Sequence, residues 1–120
     1  MRKIQELEGR VYERPEEEER VFEKPIFTQL LTGPSELIEG QLAHFECRVL
    51  PVGDSTLRFE WYLNGKELKM GSRFHATYDF GFVTLDIRDT IQEDSGVYMC
   101  KAINEAGEAV SSIALKVKCR

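Results

Sequence analysis

Five segments of the chain alternate apolar and polar residues with a period of two, and this alternation most constrains the fold. They are AHFECRV (43–49), FEWYL (59–63), FVTLDI (82–87), GVYMCKA (96–102) and AVSSIALKV (109–117). Because successive side chains of a β-strand point to opposite faces, each segment predicts a strand with one buried face. The dipeptide Asn64-Gly65 predicts a hairpin turn after the second segment. We therefore expect an all-β fold in which two antiparallel sheets form a β-sandwich.

Length, charge and hydrophobicity narrow the class of protein. A chain of 120 residues has a common size for a single domain. The net charge of −5 is spread along the chain, so no basic region exists to follow a phosphate backbone, and we expect no nucleic-acid partner. No run of about 18 apolar residues is present, and the N-terminus is charged from the outset. We therefore expect neither a membrane span nor a secretory signal, and no membrane partner.

The residue types that commonly carry chemistry form no recognisable site. His44 and Cys47 point to opposite faces of a regular strand, and no Cys-x-x-Cys occurs, so we predict no metal site. Ser95 lies in an aspartate-glycine turn and not in a Gly-x-Ser-x-Gly elbow, and no Gly-rich phosphate loop is present. We expect no catalytic residue and no cofactor, so this segment is predicted not to be an enzyme.

The composition changes near Lys24, which predicts a boundary. Residues 1–24 are charged and include four consecutive glutamates at 16–19, so we predict a linker that is partly disordered or transiently helical. Ile4, Leu7 and Val11 are spaced for a short helix, although isolated helices of this length are marginal in water. The alternative is a docking segment for a neighbouring domain or partner. We expect the folded domain over residues 25–118, with 119–120 as the boundary to the next segment.

Four residues on the predicted strands form a recognisable constellation. Cys47 is followed fourteen residues later by Trp61, and Tyr98 stands two residues before Cys100. This arrangement resembles the immunoglobulin fold. The resemblance implies that the two cysteines face each other across the sheets, that Trp61 packs on them, and that Tyr98 forms a tyrosine corner. The turn before that corner supplies Asp94 and Gly96.

The redox state of the core cysteines is left open by the sequence. A disulfide between Cys47 and Cys100 would close a loop of about fifty residues and stabilise the fold by about 4 kcal/mol in the chain-entropy model. In a reducing compartment the two thiols would pack as small buried hydrophobes instead. The third cysteine, Cys119, is expected to be exposed beyond the last strand.

Longer stretches narrow the resemblance to the intermediate set (I-set) of immunoglobulin domains. VTLDI, EDSGVYMCKAINEAGEA and the ending LKV resemble that family over residues 25–118. KPIFTQLL, HFECRVLPVGD and YDFGFVTLDI are similar to the intracellular immunoglobulin domains of giant sarcomeric muscle proteins. The resemblance implies an ion pair between Arg73 and Asp94, the alternative being an ordinary exposed arginine.

The resemblance also implies a function, a location and partners. We expect a structural, elastic immunoglobulin module of a tandem array that bears tension and serves as a scaffold. Tension would load the bonds between the first strand region, Ser35–Ile38, and the last, Ala109–Val117. Expected partners are neighbouring immunoglobulin or fibronectin-type domains and other sarcomeric proteins. The expected location is the cytoplasm, in the Z-disc or I-band region of the sarcomere, and the parent protein would carry a kinase domain elsewhere.

One alternative to this function remains. The chain could instead be an extracellular adhesion or receptor immunoglobulin domain that recognises a protein ligand, with an obligatory bond between Cys47 and Cys100. Separately, three outward residues of one strand, together with Tyr62 of another, offer a possible apolar contact patch, although scattered surface apolar residues are common. The patch consists of Tyr62, Val97, Met99 and Ile103.

Overall fold

A computed structural model describes residues 22–120, and within this range the chain forms nine β-strands and one 3-10 turn at Gln92–Asp94. The strands are β1 (Ile26–Thr32), β2 (Glu36–Ile38), β3 (Ala43–Leu50), β4 (Arg58–Leu63), β5 (Lys66–Glu67), β6 (Phe74–Asp79), β7 (Phe82–Ile87), β8 (Gly96–Asn104) and β9 (Gly107–Lys118). They form a four-stranded sheet, in the order β1-β3-β7-β6, and a five-stranded sheet, in the order β2-β9-β8-β4-β5. The predicted all-β sandwich of two sheets is confirmed.

The core lies between the sheets and is built from the inward sets of the alternating segments. The β3 residues Ala43, Phe45, Cys47 and Val49 are buried, and their neighbours in sequence are exposed or half-buried. Strand β8 alternates in the same way, and its buried Tyr98 ring stacks on Phe45 with the ring centroids 5.3 Å apart. The period of two in the sequence therefore records which side of each strand faces the other sheet.

The chain crosses from one sheet to the other between β1 and β2. Strand β1 pairs antiparallel with β3, whereas β2 belongs to the other sheet. Gly33 lies at the crossing, against the Phe45 ring, and a Cβ added there would lie 2.8 Å from the His44 carbonyl oxygen. Glycine is required because no side chain fits in this space. The prediction that Ser35–Ile38 contains the first strand is therefore wrong, since β1 precedes it.

Strand β2 pairs in parallel with the C-terminal end of β9. Its three residues pair with Lys116, Val117 and Lys118 of β9. Two bonds extend the ladder: the Lys116 N–H donates to the Ser35 carbonyl, and the Glu39 N–H donates to the Lys118 carbonyl, both at 2.9 Å. Only the C-terminal end of β9 takes part in this pairing, and not the whole of Ala109–Val117 as the sequence suggested.

Two tight turns connect neighbouring strands through left-handed backbone conformations. Asn64 and Gly65 join β4 to β5 with φ of 50° and 83°, as the dipeptide predicts. Phe80 and Gly81 join β6 to β7 with φ of 46° and 86°. Phenylalanine is uncommon at positive φ, so this turn is not evident from the sequence. The Phe80 side chain is 81% exposed.

The predicted linker falls mainly on residues 1–21, outside the described part of the chain. Its helix-forming residues Ile4, Leu7 and Val11 and the glutamates at 16–19 lie there, so the linker and its alternative stay predictions. The described part begins with Phe22, which is half-buried, and Pro25 is buried.

Candidate functional site

The two core cysteines come from opposite sheets. Cys47 on β3 and Cys100 on β8 are both fully buried, and Trp61, 4% exposed, stands beside Cys100 in the register of β4 with β8. Both are free cysteines and are not joined by a disulfide. The pKa of the Cys100 thiol is raised, because interaction with the neighbouring Cys47 thiol and burial both disfavour its thiolate. The Cys100 thiol in turn lowers the pKa of the Cys47 thiol, but both side chains are fully buried, so the pair packs as part of the core.

Tyr98 bonds back to the turn that precedes β8. Its buried hydroxyl donates to the carbonyl oxygen of Asp94 at 2.5 Å, across four residues of chain. Burial raises the pKa of the Tyr98 hydroxyl, which keeps it a proton donor. Gly96, between these two residues, has φ of 149°, and a Cβ there would lie 2.6 Å from the Asn64 Oδ1. The corner thus ties the 3-10 turn to the strand that follows it.

Arg73 and Asp94 form a two-pronged ion pair. The Arg73 Nη1 donates to Asp94 Oδ2 at 2.9 Å, and its Nη2 donates to Oδ1 at 3.1 Å. The pKa of Arg73 is raised, chiefly by this hydrogen bond. Asp94 Oδ2 also accepts the Ile91 N–H at 2.9 Å. The Asp94 side chain is only 5% exposed, so the guanidinium compensates for a nearly buried carboxylate.

The four residues of the possible contact patch share the outer face of the five-stranded sheet. Val97 is 46% exposed, whereas Tyr62, Met99 and Ile103 are half-buried. Lys101 interrupts them, with its Nζ 5.5 Å from the centre of the Tyr62 ring. The face is therefore mixed, and its role as a contact patch stays a prediction.

A polar network at the end of β8 was not predicted from the sequence. The Asn104 Nδ2 donates to the Glu23 carbonyl at 2.8 Å and to Asp54 Oδ2 at 3.0 Å. Its Oδ1 accepts the Ala106 and Gly107 N–H groups, as an asparagine at a turn commonly does. The turn could have been read from NEAG, but the contacts to Glu23 and Asp54 join distant parts of the chain. They fix the start of the described chain to the β8–β9 turn.

A second missed cluster lies on the outer face of the four-stranded sheet. His44 Nδ1 is 2.5 Å from Asp86 Oδ1, and its Nε2 is 3.0 Å from Glu46 Oε1. The pKa of His44 is raised, first by the hydrogen bond to Asp86 and then by that to Glu46. The sequence placed His44 on an outward face, but its partner Asp86 depends on the register of β3 with β7.

Within residues 22–120, no three or more His, Cys, Asp and Glu side chains meet in a way that could hold a metal ion. No helix in that range is long and apolar enough to cross a membrane.

Two facing sheets, a tryptophan beside a cysteine pair and a tyrosine corner define an immunoglobulin-like domain. The chain belongs to the immunoglobulin I-set family, whose profile matches residues 25–117. Domains of this family are typically non-catalytic.

Among the relatives, titin supports a muscle-protein module. The chain is 67% identical to titin of Drosophila melanogaster over 116 residues, which is 97% of this chain and 1% of that protein. It is 37% identical over 111 residues to the leucine-rich repeat and fibronectin type-III domain-containing protein 2 of Rattus norvegicus, covering 92% of this chain and 14% of that protein. The chain thus spans a small part of either relative. The likeness to a giant sarcomeric muscle protein is confirmed.

Solved structures support the same assignment. The titin M4 domain superimposes with a TM-score of 0.71 at 34% identity, covering 78% of this chain and 95% of that one. A titin M10–obscurin-like 1 immunoglobulin complex superimposes with a TM-score of 0.72 at 29% identity, covering 80% of this chain and 95% of that one. The titin I-band fragment I67–I69 superimposes with a TM-score of 0.73 at 30% identity, covering 79% of this chain and 33% of that one. Two of these titin structures are a tandem fragment and a complex with another immunoglobulin domain. The similarity to titin indicates a sarcomeric location.

Proposed function

We propose that this chain is a structural, elastic module of a tandem array in a titin-like muscle protein, where it bears tension and offers surfaces for protein–protein contacts. The observation that carries the proposal is the parallel pairing of β2 with the end of β9. The 67% identity to Drosophila titin supports the muscle setting.

The geometry of this pairing suits a load-bearing role. When the two ends of the domain are pulled apart, parallel neighbours near opposite ends of the chain slide along each other. The bonds that flank the pair, Ser35 to Lys116 and Glu39 to Lys118, then lie across the direction of sliding and are loaded together. Bonds that must break together resist more than bonds that break one at a time, so the resistance is kinetic.

The setting of the array is part of the same proposal. Neighbouring immunoglobulin or fibronectin-type domains of the parent chain would flank this domain, and other sarcomeric proteins would contact it. The location would be the cytoplasm, in the Z-disc or I-band region, and the I-band fragment among the similar structures supports the latter. Any kinase activity of the parent would reside in another domain.

Single-molecule pulling tests the proposal. The chain is placed between well-characterised marker domains and stretched at constant velocity. We expect unfolding in one step, at a force well above that of an ordinary helical domain measured in the same molecule. Unfolding at or below the force of the helical marker would refute the load-bearing role.

A further inference from the structure

The turn between β4 and β5 contains a pair of residues that is chemically labile. The chain has two asparagines, Asn64 and Asn104, and only Asn64 precedes a glycine. The backbone nitrogen of the next residue can attack the side-chain carbonyl carbon of an asparagine, and glycine hinders this attack least because it has no side chain. Asparagine is accordingly one of the thermolabile residues of proteins. The turn is exposed, so water reaches it freely.

The reaction proceeds in two steps that need only water. In the first step a bond forms between the Gly65 nitrogen and Asn64 Cγ, the bond from Cγ to Nδ2 breaks, and ammonia leaves with the proton of the Gly65 N–H. The product is a five-membered succinimide ring. In the second step water opens this ring at either of its two carbonyls. One opening gives aspartate, and the other gives isoaspartate, in which the main chain runs through the former side chain.

The fold holds the Asn64 amide away from this reaction. Strand β4 lies between β8 and β5 in its sheet, and Gly65 carries the chain to the β5 side. The Asn64 side chain lies on the opposite side, against β8, where its Oδ1 accepts the Val97 N–H at 2.9 Å. A Cβ added to Gly96 would lie 2.8 Å from Asn64 Cγ, so the glycine leaves the space that the amide fills.

The backbone of Asn64 is fixed by the same strand. Its N–H donates to the Val97 carbonyl at 2.8 Å, and its φ of 50° belongs to the left-handed turn. Ring closure requires Cγ to rotate onto the Gly65 nitrogen, so both hydrogen bonds to Val97 must first be given up. Two hydrogen bonds of ordinary net strength make such an opened turn about thirtyfold rarer than the closed one.

We propose that Asn64 is a deamidation site that the fold protects and that reacts when the β4–β5 turn separates from β8. Modification at this site would accumulate with the time that the domain spends unfolded. Isoaspartate adds one carbon atom to the main chain, so the two left-handed residues could no longer join β4 to β5 in the same register. A domain modified while unfolded should therefore return to a less stable folded state.

Protection of Asn64 does not depend on load bearing, although tension is one way to open the turn. Under the proposed function, each unfolding event would expose Asn64 for as long as the event lasts. Denaturant opens the turn as well, so the reaction is measured in solution without force. Failure of the pulling experiment would leave the deamidation site standing, and the reverse also holds.

The first experiment compares the folded and the unfolded chain at the same pH and temperature. One sample is kept in buffer and the other in guanidinium chloride, and portions of both are desalted and digested with trypsin at intervals. Cleavage after Arg58 and Lys66 releases residues 59–66, in which Asn64 is the only side-chain amide. Mass spectrometry follows the gain of about 1 Da as the amide becomes a carboxyl group. We expect this gain at least about tenfold faster in the unfolded chain.

A second peptide and two variants of Val97 assign the reaction and its protection. Residues 102–116 from the same digest contain Asn104, which precedes Glu105, and should show no comparable gain. Val97→Pro removes the N–H that Asn64 Oδ1 accepts, whereas Val97→Ala keeps it. In the folded chain we expect Asn64 to react about fivefold faster in Val97→Pro than in Val97→Ala. If Val97→Pro does not fold, the comparison of the folded and unfolded parent chain still decides.

A further measurement tests the consequence for the folded state. Chain aged in denaturant is returned to buffer, and the aspartyl and isoaspartyl forms are separated by chromatography. Asn64→Asp is the matched control, because it keeps the normal main chain and an oxygen for the Val97 N–H. We expect the isoaspartyl form to unfold at a clearly lower urea concentration than Asn64→Asp.

Three results would overturn the proposal. Equal rates in the folded and unfolded chain would show that the fold does not protect Asn64. Equal rates in folded Val97→Pro and Val97→Ala would show that the bond to β8 is not what protects it. An isoaspartyl form as stable as Asn64→Asp would remove the consequence for the turn.

Discussion

The guanidinium of Arg73 holds the nearly buried carboxylate of Asp94 through two parallel hydrogen bonds, of 2.9 and 3.1 Å. This pair joins the start of β6 to the 3-10 turn before β8. Arg73 also donates to the carbonyl oxygens of Arg88 and Asp89, at 3.2 and 3.3 Å. One side chain thus connects three parts of the chain near the tyrosine corner.

Removal of the arginine should therefore be costly. We expect Arg73→Ala to lower the free energy of unfolding by about 2 kcal/mol, because a buried carboxylate loses its partner while the arginine itself is partly exposed. Urea denaturation measures the change. Lys118→Ala, which breaks the exposed pair with Glu36, serves as the control and should cost less than about 0.5 kcal/mol. Equal losses in the two variants would contradict the role assigned to Arg73.

The hydroxyl of Tyr98 should contribute through a single buried hydrogen bond. Tyr98→Phe keeps the ring on Phe45 but leaves the Asp94 carbonyl without this donor, and we expect a loss of about 1–3 kcal/mol in unfolding free energy. Tyr62→Phe is the matched change on the outer face, where the hydroxyl donates to Glu60, and should cost clearly less than Tyr98→Phe. Thermal or urea unfolding of both variants decides. If Tyr98→Phe proved as stable as the parent chain, the corner would not be a source of stability.

The His44 cluster predicts a pH dependence of stability. The folded-state pKa of His44 is raised above 6.5 by Asp86 and Glu46, so folding favours the protonated imidazole. The stabilising contribution of His44 is fully present below about pH 6.5 and is lost as the pH rises through the higher folded-state pKa. The contribution is less than about 1 kcal/mol, because the cluster is well exposed.

The measurement compares the parent chain with His44→Gln at pH 5.5 and pH 8.5. The difference in unfolding free energy should be larger at pH 5.5. In an Asp86→Asn background this pH dependence should shrink, because the hydrogen-bond partner that raises the His44 pKa most loses its charge. A difference that grew towards pH 8.5 would reverse the sign argued for His44.

The pairing of β2 with β9 makes a prediction about force. Glu39→Pro removes the N–H that donates to the Lys118 carbonyl, and we expect a clearly lower unfolding force in single-molecule pulling. Glu36→Pro is the control, because the N–H of residue 36 points away from β9 and proline is tolerated on that side of an edge strand. The Glu36→Pro variant should retain most of the unfolding force of the parent chain, although it also loses the exposed ion pair with Lys118. Equal forces for the two proline variants would contradict the shear argument.

The sequence predicted the long strands because each shows its own alternation. Strands β3, β7 and β8 bury the expected residues, and the pattern needs no tertiary information. Strands β2 and β5 have three and two residues, too few to show a period, so their place in the sheets could not be read. Tertiary packing against β9 determines where β2 lies.

The candidate site likewise contains residues that the sequence indicated and contacts that it did not. The buried pair Cys47 and Cys100 and the corner at Tyr98 lie on alternating strands, and the resemblance of their order and spacing to the immunoglobulin fold pointed to them. The bonds of Asn104 to Asp54, fifty residues apart, and of His44 to Asp86 depend on loop folding and strand register. A single sequence without its register contains no local pattern for such contacts.

The crossing at Gly33 bears on where this domain can be cut. A fragment that began at Ser35 would keep β2 and the whole five-stranded sheet but would lose β1. Strand β3 would then become a sheet edge, and the eight residues from Ala43 to Leu50 would be open along one side. Bare edges of this length invite pairing between molecules, so such a fragment should aggregate where the chain that retains Ile26–Thr32 does not.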